Sequence, residues 1–412
     1  MRKEENEYLT RIGPGTAMGN LLRRFWMPVL LEHEVPGPNE APLRIRVMGE
    51  NFLVWRDAQG ELGVFEEFCM HRRASLSLAR CEGDGLRCIF HGWKFDVRGN
   101  VLDTPNLRNP NLAHKARAPV HPARLGGGLL WVYLGPADQQ PDFPDYEFMR
   151  LPKDHSYAFR QIWNVNFVQG LESNLDSSHI GILHNSSAFF GQRKERATPE
   201  LRDVVVWDDD RPTILVKDHP GGFFATAIRD VELNGKPLRY ARVHNYIMPF
   251  GTFVPFPILA QHVPIDDENT ISFGILYDKK PIDAEFCRRI FELPSYLAEN
   301  LAPRVQRYLG TAENNWFQDR SVMEHNFSGL LNPIAEDMAV FASMGPIPDR
   351  SKEAAAGSDA AVARMRTMLI DAARGLERGE EPQRMTGQES ATMGSGEGLV
   401  GTDDRWPELL AH

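Results

Sequence analysis

Two short pairs of metal-ligating residues stand close together in CMHRRASLSLARCEGDGLRCIFHGWKFD, the segment from Cys69 to Asp96. They follow the pattern C-x-H-x16-C-x2-H, and they use Cys69, His71, Cys88 and His91. The chain holds only four cysteines, and the other two, Cys81 and Cys287, have no partner at motif spacing, which suits small buried groups better than ligands. Two cysteines and two histidines can hold zinc tetrahedrally, but zinc knuckles open with two closely spaced cysteines, and C-x-H matches them poorly. The alternative is a [2Fe–2S] centre in which two histidines replace two cysteines, one Cys and one His coming from each of two loops. Glycines at 83, 85 and 92 would let backbone approach the sulfides, and Phe90 and Trp93 could shield them.

A second constellation lies in GLESNLDSSHIGILH, which contains D-x2-H-x4-H as Asp176, His179 and His184. Asp176 and His179 share a helical face. His184 lies about 140° round a regular helix from His179, so the helix must distort or end for both imidazoles to converge, and Gly181 eases that. Two histidines and one carboxylate with open positions form the facial set that suits oxygen-activating Fe(II). The carboxylate is either Asp176 itself or a residue far along the chain.

Elements must position these groups. Helical spacing at Leu21, Leu22 and Phe25 closes at Pro28. From residue 40 to about 135 the texture is that of strands, with LRIRVM, FLVWRD, LGVFEEF, a hairpin at Gly99-Asn100 and LGGGLLWVYLG forming an all-β unit with the Cys/His loops at its tip. GPADQQPDFPD reads as a linker. Beyond it NFVQGLESNLDSSHIGILH is helical, and VVVWDDDRPTILVKD, GGFFATAIRDVEL, LRYARVHNYIMPF and TISFGILYD are antiparallel strands. DAEFCRRIFELPSYLAENLAPRVQRYL and SDAAVARMRTMLIDAARGL are long helical segments, and TGQESATMGSGEGLVGTDD is small, polar and loosely ordered. The expected fold class is α+β, with an N-terminal all-β domain followed by an α+β domain. The expected boundaries are a helical segment 1–38 packing with the second domain, the β domain 39–145, the second domain 146–390 and a loose tail 391–412.

The whole motif, followed by GWKFD, resembles the Rieske domain of the aromatic-ring hydroxylating oxygenases. LTRIGPGTAMGNLLRRFWMPVL and EDMAVFASMGPIPDRS resemble their phthalate dioxygenase group, so the likeness runs nearly end to end. It implies a Rieske [2Fe–2S] cluster on Cys69, His71, Cys88 and His91, and a helix-grip catalytic domain with a mononuclear Fe(II). It implies Asp337 as the carboxylate ligand beside His179 and His184, with neighbouring Glu336 the competitor. Asp176 would then bridge a cluster histidine, His91 of one chain, to His179 of its neighbour in a homotrimer and carry electrons between the centres. Electrons would come from NADH through a separate flavin and plant-type ferredoxin reductase, and no glycine-rich dinucleotide motif occurs in this chain. Where many relatives carry asparagine just before the motif, this chain has Glu172.

The implied reaction uses O2 to dihydroxylate an aromatic carboxylate, phthalate- or phenoxybenzoate-like. Monooxygenation with O-demethylation uses the same ligands, and a pure Rieske electron carrier would need no second iron. A substrate carboxylate needs a partner. Arg242 of LRYARVHNYIMPF, on one strand face with Tyr240 and His244, is the candidate, and Arg229 the rival; either could instead pair with an acidic neighbour. The cluster loops carry six basic residues (Arg72, Arg73, Arg80, Arg87, Lys94, Arg98) against Glu82, Asp84 and Asp96, a docking face for the reductase within a chain of net charge −10. That overall charge argues against nucleic acid. No apolar run spans a membrane or opens a secretory signal, so a cytoplasmic, membrane-free protein is expected.

Overall fold

The computed structural model describes residues 1–109, 116–184, 211–233, 236–255 and 258–400. The chain divides into two compact units, Met1–Leu22 with Asp142–His412, and Arg23–Pro141. The second boundary falls inside GPADQQPDFPD. The first falls sixteen residues short of the expected break at 38, because the N-terminal stretch is split. Helices α1 (Lys3–Thr10) and α2 (Ala17–Leu22) belong with the larger unit, whereas Trp26–Leu31 is strand β1 of the smaller one. All six residues of WMPVLL are buried, and the strand pairs with Leu129–Tyr133, its register shifting just after Pro28. A continuous apolar run buried on both faces needs a sheet more than a helix surface.

The smaller unit holds three antiparallel sheets. β2 (Leu43–Val47), β3 (Glu50–Arg56) and β4 (Leu62–Glu66) form one. β5 (Arg80–Glu82), β6 (Gly85–Arg87), β7 (Lys94–Phe95) and β8 (Val101–Asp103) form the second and carry the Cys/His loops. β9 (Ala123–Gly126) and β10 (Leu129–Tyr133) complete the third with β1. Trp55, Phe65, Leu86 and Phe95 pack as a core around Cys69 and Cys88.

The larger unit is built on a ten-stranded sheet among the described residues. β11 (Ser156–Trp163) leads into α3 (Phe167–Leu175) and the single turn α4 (Ile180–Leu183). β12 (Thr213–His219), β13 (Gly222–Leu233), β14 (Lys236–Ile247), β15 (Gly251–Val254), β16 (Ile258–Pro264) and β17 (Thr270–Tyr277) follow as antiparallel neighbours, and β11 pairs with β17. The first part of VVVWDDDRPTILVKD lies outside the described residues.

The long helix expected over DAEFCRRIFELPSYLAENLAPRVQRYL is only α5 (Ala284–Phe291). Pro294 stops it, and the rest is a hairpin of β18 (Ala298–Ala302) and β19 (Val305–Tyr308), which pairs in parallel with β11. α6 (Pro333–Ser343) and α7 (Ala360–Glu377) form as helices, and α8 (Gly387–Ser390) is one turn. The expected loose tail is instead ordered from 391 to 400, where β20 (Gly396–Val400) pairs with β14 from Arg239 to Val243. β15 covers that edge of β14 only from Asn245 to Ile247, so the stretch before it would otherwise leave a row of open N–H and C=O groups. Residues 401–412 lie outside the described residues.

Candidate metal centres and active-site cavity

In the smaller unit the two loops are built alike. The carbonyl of Cys69 accepts from the N–H of Arg73 at 2.8 Å, and that of Cys88 from Gly92 at 3.0 Å. Arg73 and Gly92 both have left-handed backbone, φ 59° and 79°. Each turn thus buries its cysteine, 1% and 3% exposed, and leaves its histidine at the half-exposed edge. Burial pushes the Cys69 thiol up, and the adjacent Cys88 thiol adds to that. The His71 and His91 rings meet edge to face with centroids 4.5 Å apart, and His71 stacks on Trp93 at 4.7 Å. Cysteine therefore neighbours cysteine and histidine neighbours histidine, one of each from each loop. Among the described residues no three of these four bring their ligand atoms within 4.8 Å of one another, as a single tetrahedral ion would require. Two pairs fit two bridged irons, one sulfur-ligated and one nitrogen-ligated. Cys81 is half-buried in β5, and Cys287 is buried among Tyr157, Phe159 and Phe291.

The basic excess on these loops is smaller than the residue count. Arg80 and Arg87 share Glu82, Arg87 also holds Asp103, and Lys94 pairs with Asp84. Arg72, Arg73 and Arg98 remain exposed, Arg73 lying 4.9 Å over the Phe68 ring. Phe68, Ile89 and Phe90 are exposed beside Arg72 and Arg73.

In the larger unit, the convergence of His179 and His184 comes from a broken helix. Asn166 caps α3 by accepting from the N–H of Val168, and its amide donates to the carbonyls of Thr10 and Asp267. The helix stops at Asp176, whose backbone is extended. Asp176 Oδ1 then accepts from both the N–H and the hydroxyl of Ser178 (2.8 and 2.6 Å), which folds the chain into the α4 turn. The Nε2 atoms of His179 and His184 end 3.2 Å apart. α6 brings the carboxylates. Asn332 caps it through the N–H of Ala335, and successive residues there point about 100° apart. Asp337 Oδ1 lies 3.8 Å from His179 Nε2 and 3.4 Å from His184 Nε2, and it is buried without a hydrogen bond among the described residues. Glu336 turns the other way. It sits behind His184, accepting from Nδ1 at 2.7 Å and from the hydroxyl of Ser328 at 2.5 Å.

His179, His184 and Asp337 are the one group among the described residues close enough to share an ion. Carboxylates engage the far nitrogens of both histidines, since Asp176 Oδ2 stands 3.4 Å from His179 Nδ1. That leaves both Nε2 lone pairs facing the centre and keeps both rings oriented. Burial works against charge at His184, but Asp337 and Glu336 outweigh it and raise the imidazole to about 9. Burial likewise opposes charge on Asp337 and Asp176, yet the histidines hold both carboxyls below their usual range. This clustering of three negative charges and two imidazoles suits a divalent ion, and the residues fit a facial iron site.

A cavity of about 150 Å³ opens on this group, large enough for one aromatic ring. Val254, Ile258, Phe291 and Ile334 make its apolar wall, and Arg242 and His244 its polar side. Arg242 is 6% exposed, with Nε 3.5 Å from Glu397 of β20, so it both lines the cavity and pairs with an acidic neighbour. Arg229, the rival, donates to the carbonyl of Ser177 and supports the bend between α3 and α4. Glu172 is engaged outside the metal-ligand group. It takes Arg350 through both oxygens (2.8 and 2.9 Å) and Arg366 at 2.7 Å, tying α3 to α7. The sequence named Glu336 only as the rival ligand to Asp337, not as the partner of His184 Nδ1, and it did not single out Ser328, His262 or Asn174, whose positions are set by folding. Glu324 and His325 are exposed.

This architecture, a small β unit with a Cys/His tip and a sheet-and-helix unit with a facial carboxylate–histidine group, is that of a Rieske oxygenase. The chain matches the Rieske [2Fe-2S] domain over residues 25–121 and the LigXa C-terminal domain like family over 132–412. It is 33% identical to the phthalate 4,5-dioxygenase oxygenase subunit of Pseudomonas putida, over 99% of this chain and 94% of that one. It is 30% identical to the 5,5'-dehydrodivanillate O-demethylase oxygenase subunit of a Sphingobium species, over 92% and 82%. In fold it resembles the terminal oxygenase of carbazole 1,9a-dioxygenase from Novosphingobium sp. KA1, with a TM-score of 0.57 at 19% identity, over 90% of this chain and 98% of that one. The chain belongs to the Rieske non-haem iron oxygenases. It is an oxidoreductase of the ring-hydroxylating type, and its cofactors are a Rieske [2Fe–2S] cluster and a mononuclear iron. No helix among the described residues is long and apolar enough to cross a membrane.

Proposed function

We propose that this oxygenase component uses O2 and two externally supplied electrons to dihydroxylate a single-ring aromatic carboxylate. The carrying observation is the cavity of one-ring size that joins His179, His184 and Asp337 on one side to Arg242 on the other. When bound, the cluster supplies electrons singly and the mononuclear iron supplies O2 activation. Cys69, His71, Cys88 and His91 hold the first, and His179, His184 and Asp337 the second. Arg242 grips the substrate carboxylate, its charge balanced partly by Glu397, so that the ring lies against Ile258 and Phe291. The apolar wall excludes water from the reacting ring. Asp176 orients His179 and links it to His91 of the partner subunit in a homotrimer, the contact through which the two centres exchange electrons. A dihydrodiol forms from arene, O2, two electrons and two protons.

The electrons come from a separate NADH-dependent flavin and ferredoxin-type reductase. A structural neighbour crystallised as an oxygenase–ferredoxin complex supports a separate donor. O-demethylation is the second reading, favoured by the resemblance to the dehydrodivanillate enzyme subunit. It consumes the same O2, electrons and protons and releases formaldehyde and water with the phenol. A panel of aromatic acids with a compatible reductase, scored by O2 uptake, product mass and formaldehyde, separates the two. Dihydrodiol without formaldehyde supports the first, and formaldehyde the second. No O2 uptake with any aromatic acid, alongside uptake with neutral arenes, overturns the carboxylate assignment.

A further inference from the structure

His244 lies two residues beyond Arg242 on the cavity side of β14 and is 2% exposed. Its Nδ1 stands 2.8 Å from the backbone carbonyl of Asn174. A carbonyl can only accept, so Nδ1 carries the proton and the ring has a fixed tautomer. Nε2 therefore presents a lone pair. It is buried and has no hydrogen-bond partner among the described residues. Burial, with Arg242 next in effect, holds the ring neutral by lowering it to about 3. A buried acceptor without a donor costs free energy, and the cavity that the His244 side chain lines is where a substrate can supply one.

We infer that His244 Nε2 reads an O–H or N–H donor on the substrate, so that the preferred ligand is an aromatic acid carrying a hydroxyl or amino group. The inference rests on Arg242 taking the carboxylate. Positions two apart on a strand are about 6.6 Å apart, a spacing that the carboxylate and a meta or para substituent of one benzene ring can span. A second carboxylate, as in a phthalate dianion, would set lone pair against lone pair at His244. An ether oxygen in place of the hydroxyl offers no donor either. His244 is thus a specificity residue that separates a hydroxybenzoate from its methoxy and dicarboxylate analogues.

Binding to the holoenzyme of 3- and 4-hydroxybenzoate, the matching methoxybenzoates, phenol and anisole, measured by calorimetry, tests this. The better-placed hydroxybenzoate should bind about tenfold or more tighter than its methoxy partner. His244→Phe, which keeps a ring and removes the acceptor, should bring that ratio near one. His244→Gln, which restores an acceptor, should recover part of it. A wild-type enzyme that binds both methoxybenzoates as tightly as the hydroxybenzoates overturns the inference whatever the variants do. So does a ratio unchanged in His244→Phe. Failure of the carboxylate assignment shows separately, as equal binding of hydroxybenzoate and phenol, and the phenol-to-anisole ratio then still reads His244.

Discussion

Two adjacent carboxylates in α6, Glu336 and Asp337, do different work because a helix turns each residue about 100° from the last. Asp337 completes the group that faces His179 and His184, while Glu336 holds the outer nitrogen of His184. Asp337→Ala should therefore lose the mononuclear iron and keep the cluster's brown colour. Iron should fall from about three to about two per chain, with acid-labile sulfide unchanged at about two. An unchanged iron count would remove Asp337 from the ligand set. Asp176 lies outside the ligand group and holds the outer nitrogen of His179. Asp176→Asn should leave both centres loaded but reduce turnover by about 100-fold, the upper range for loss of a ligand's orienting partner. In single-turnover measurements, reduction of the cluster should stay fast while its reoxidation by O2 with substrate slows. Normal turnover would end the bridging role.

α3 is the element on which the catalytic unit depends, since its C-terminal end delivers Asp176 and the turn to His179. Two features hold it. Gly170 packs against the His262 ring so closely that an added Cβ would collide with Nδ1. Glu172 is clamped by Arg350, whose side chain is 0% exposed, and by Arg366, which also reaches Glu353. Replacing that carboxylate leaves a buried guanidinium without its counter-charge, a loss of about 3–5 kcal/mol. Glu172→Gln should therefore lower the unfolding midpoint in urea and reduce iron retention, with the cluster's absorbance unaffected before unfolding. A midpoint equal to wild type would mean that Asn6, which accepts from Arg350 Nη1, suffices. Gly170→Ala should displace α3 and lose the mononuclear iron while sparing the cluster.

On the scale of the whole molecule, charge and apolar exposure meet at the cluster loops. Phe68, Ile89 and Phe90 are exposed next to Arg72 and Arg73, whereas Arg80, Arg87 and Lys94 are already paired with acids. Docking of an acidic electron donor there would depend on Arg72 and Arg73 and little on the other three. Arg72→Glu with Arg73→Glu should raise the reductase concentration for half-maximal rate several-fold at low salt, with the gap closing as salt screens the charges. Arg80→Glu should have a smaller effect. Equal salt dependence in wild type and the double variant would place the docking face elsewhere.

Ligand chemistry was legible in the sequence because it depends on residue type and short spacing. C-x-H-x16-C-x2-H and D-x2-H-x4-H stand within single loops or helices, and alternating apolar strands around the first motif announced its β scaffold. The five-residue offset of His184 also announced that the helix must break, although the Ser178 contacts to Asp176 that break it were not foreseen. What folding alone decided is what depends on distant chain. Strand β1 was read as part of a helical segment because an isolated apolar run has no period, and its pairing with β10 comes about a hundred residues later. The glycine-rich tail looked loose, yet the open edge of β14 recruits it and places Glu397 beside Arg242. Glu172 stood out only as a departure from its relatives until Arg350 and Arg366, nearly two hundred residues on, gave it partners. His244 was visible as a residue on the Arg242 face, but its tautomer, and with it the direction of the hydrogen bond it seeks, is set by the carbonyl of Asn174 at the end of another element. Local spacing specifies which atoms can bind a metal, whereas the direction of a buried hydrogen bond is settled by whatever the tertiary fold puts on its other side.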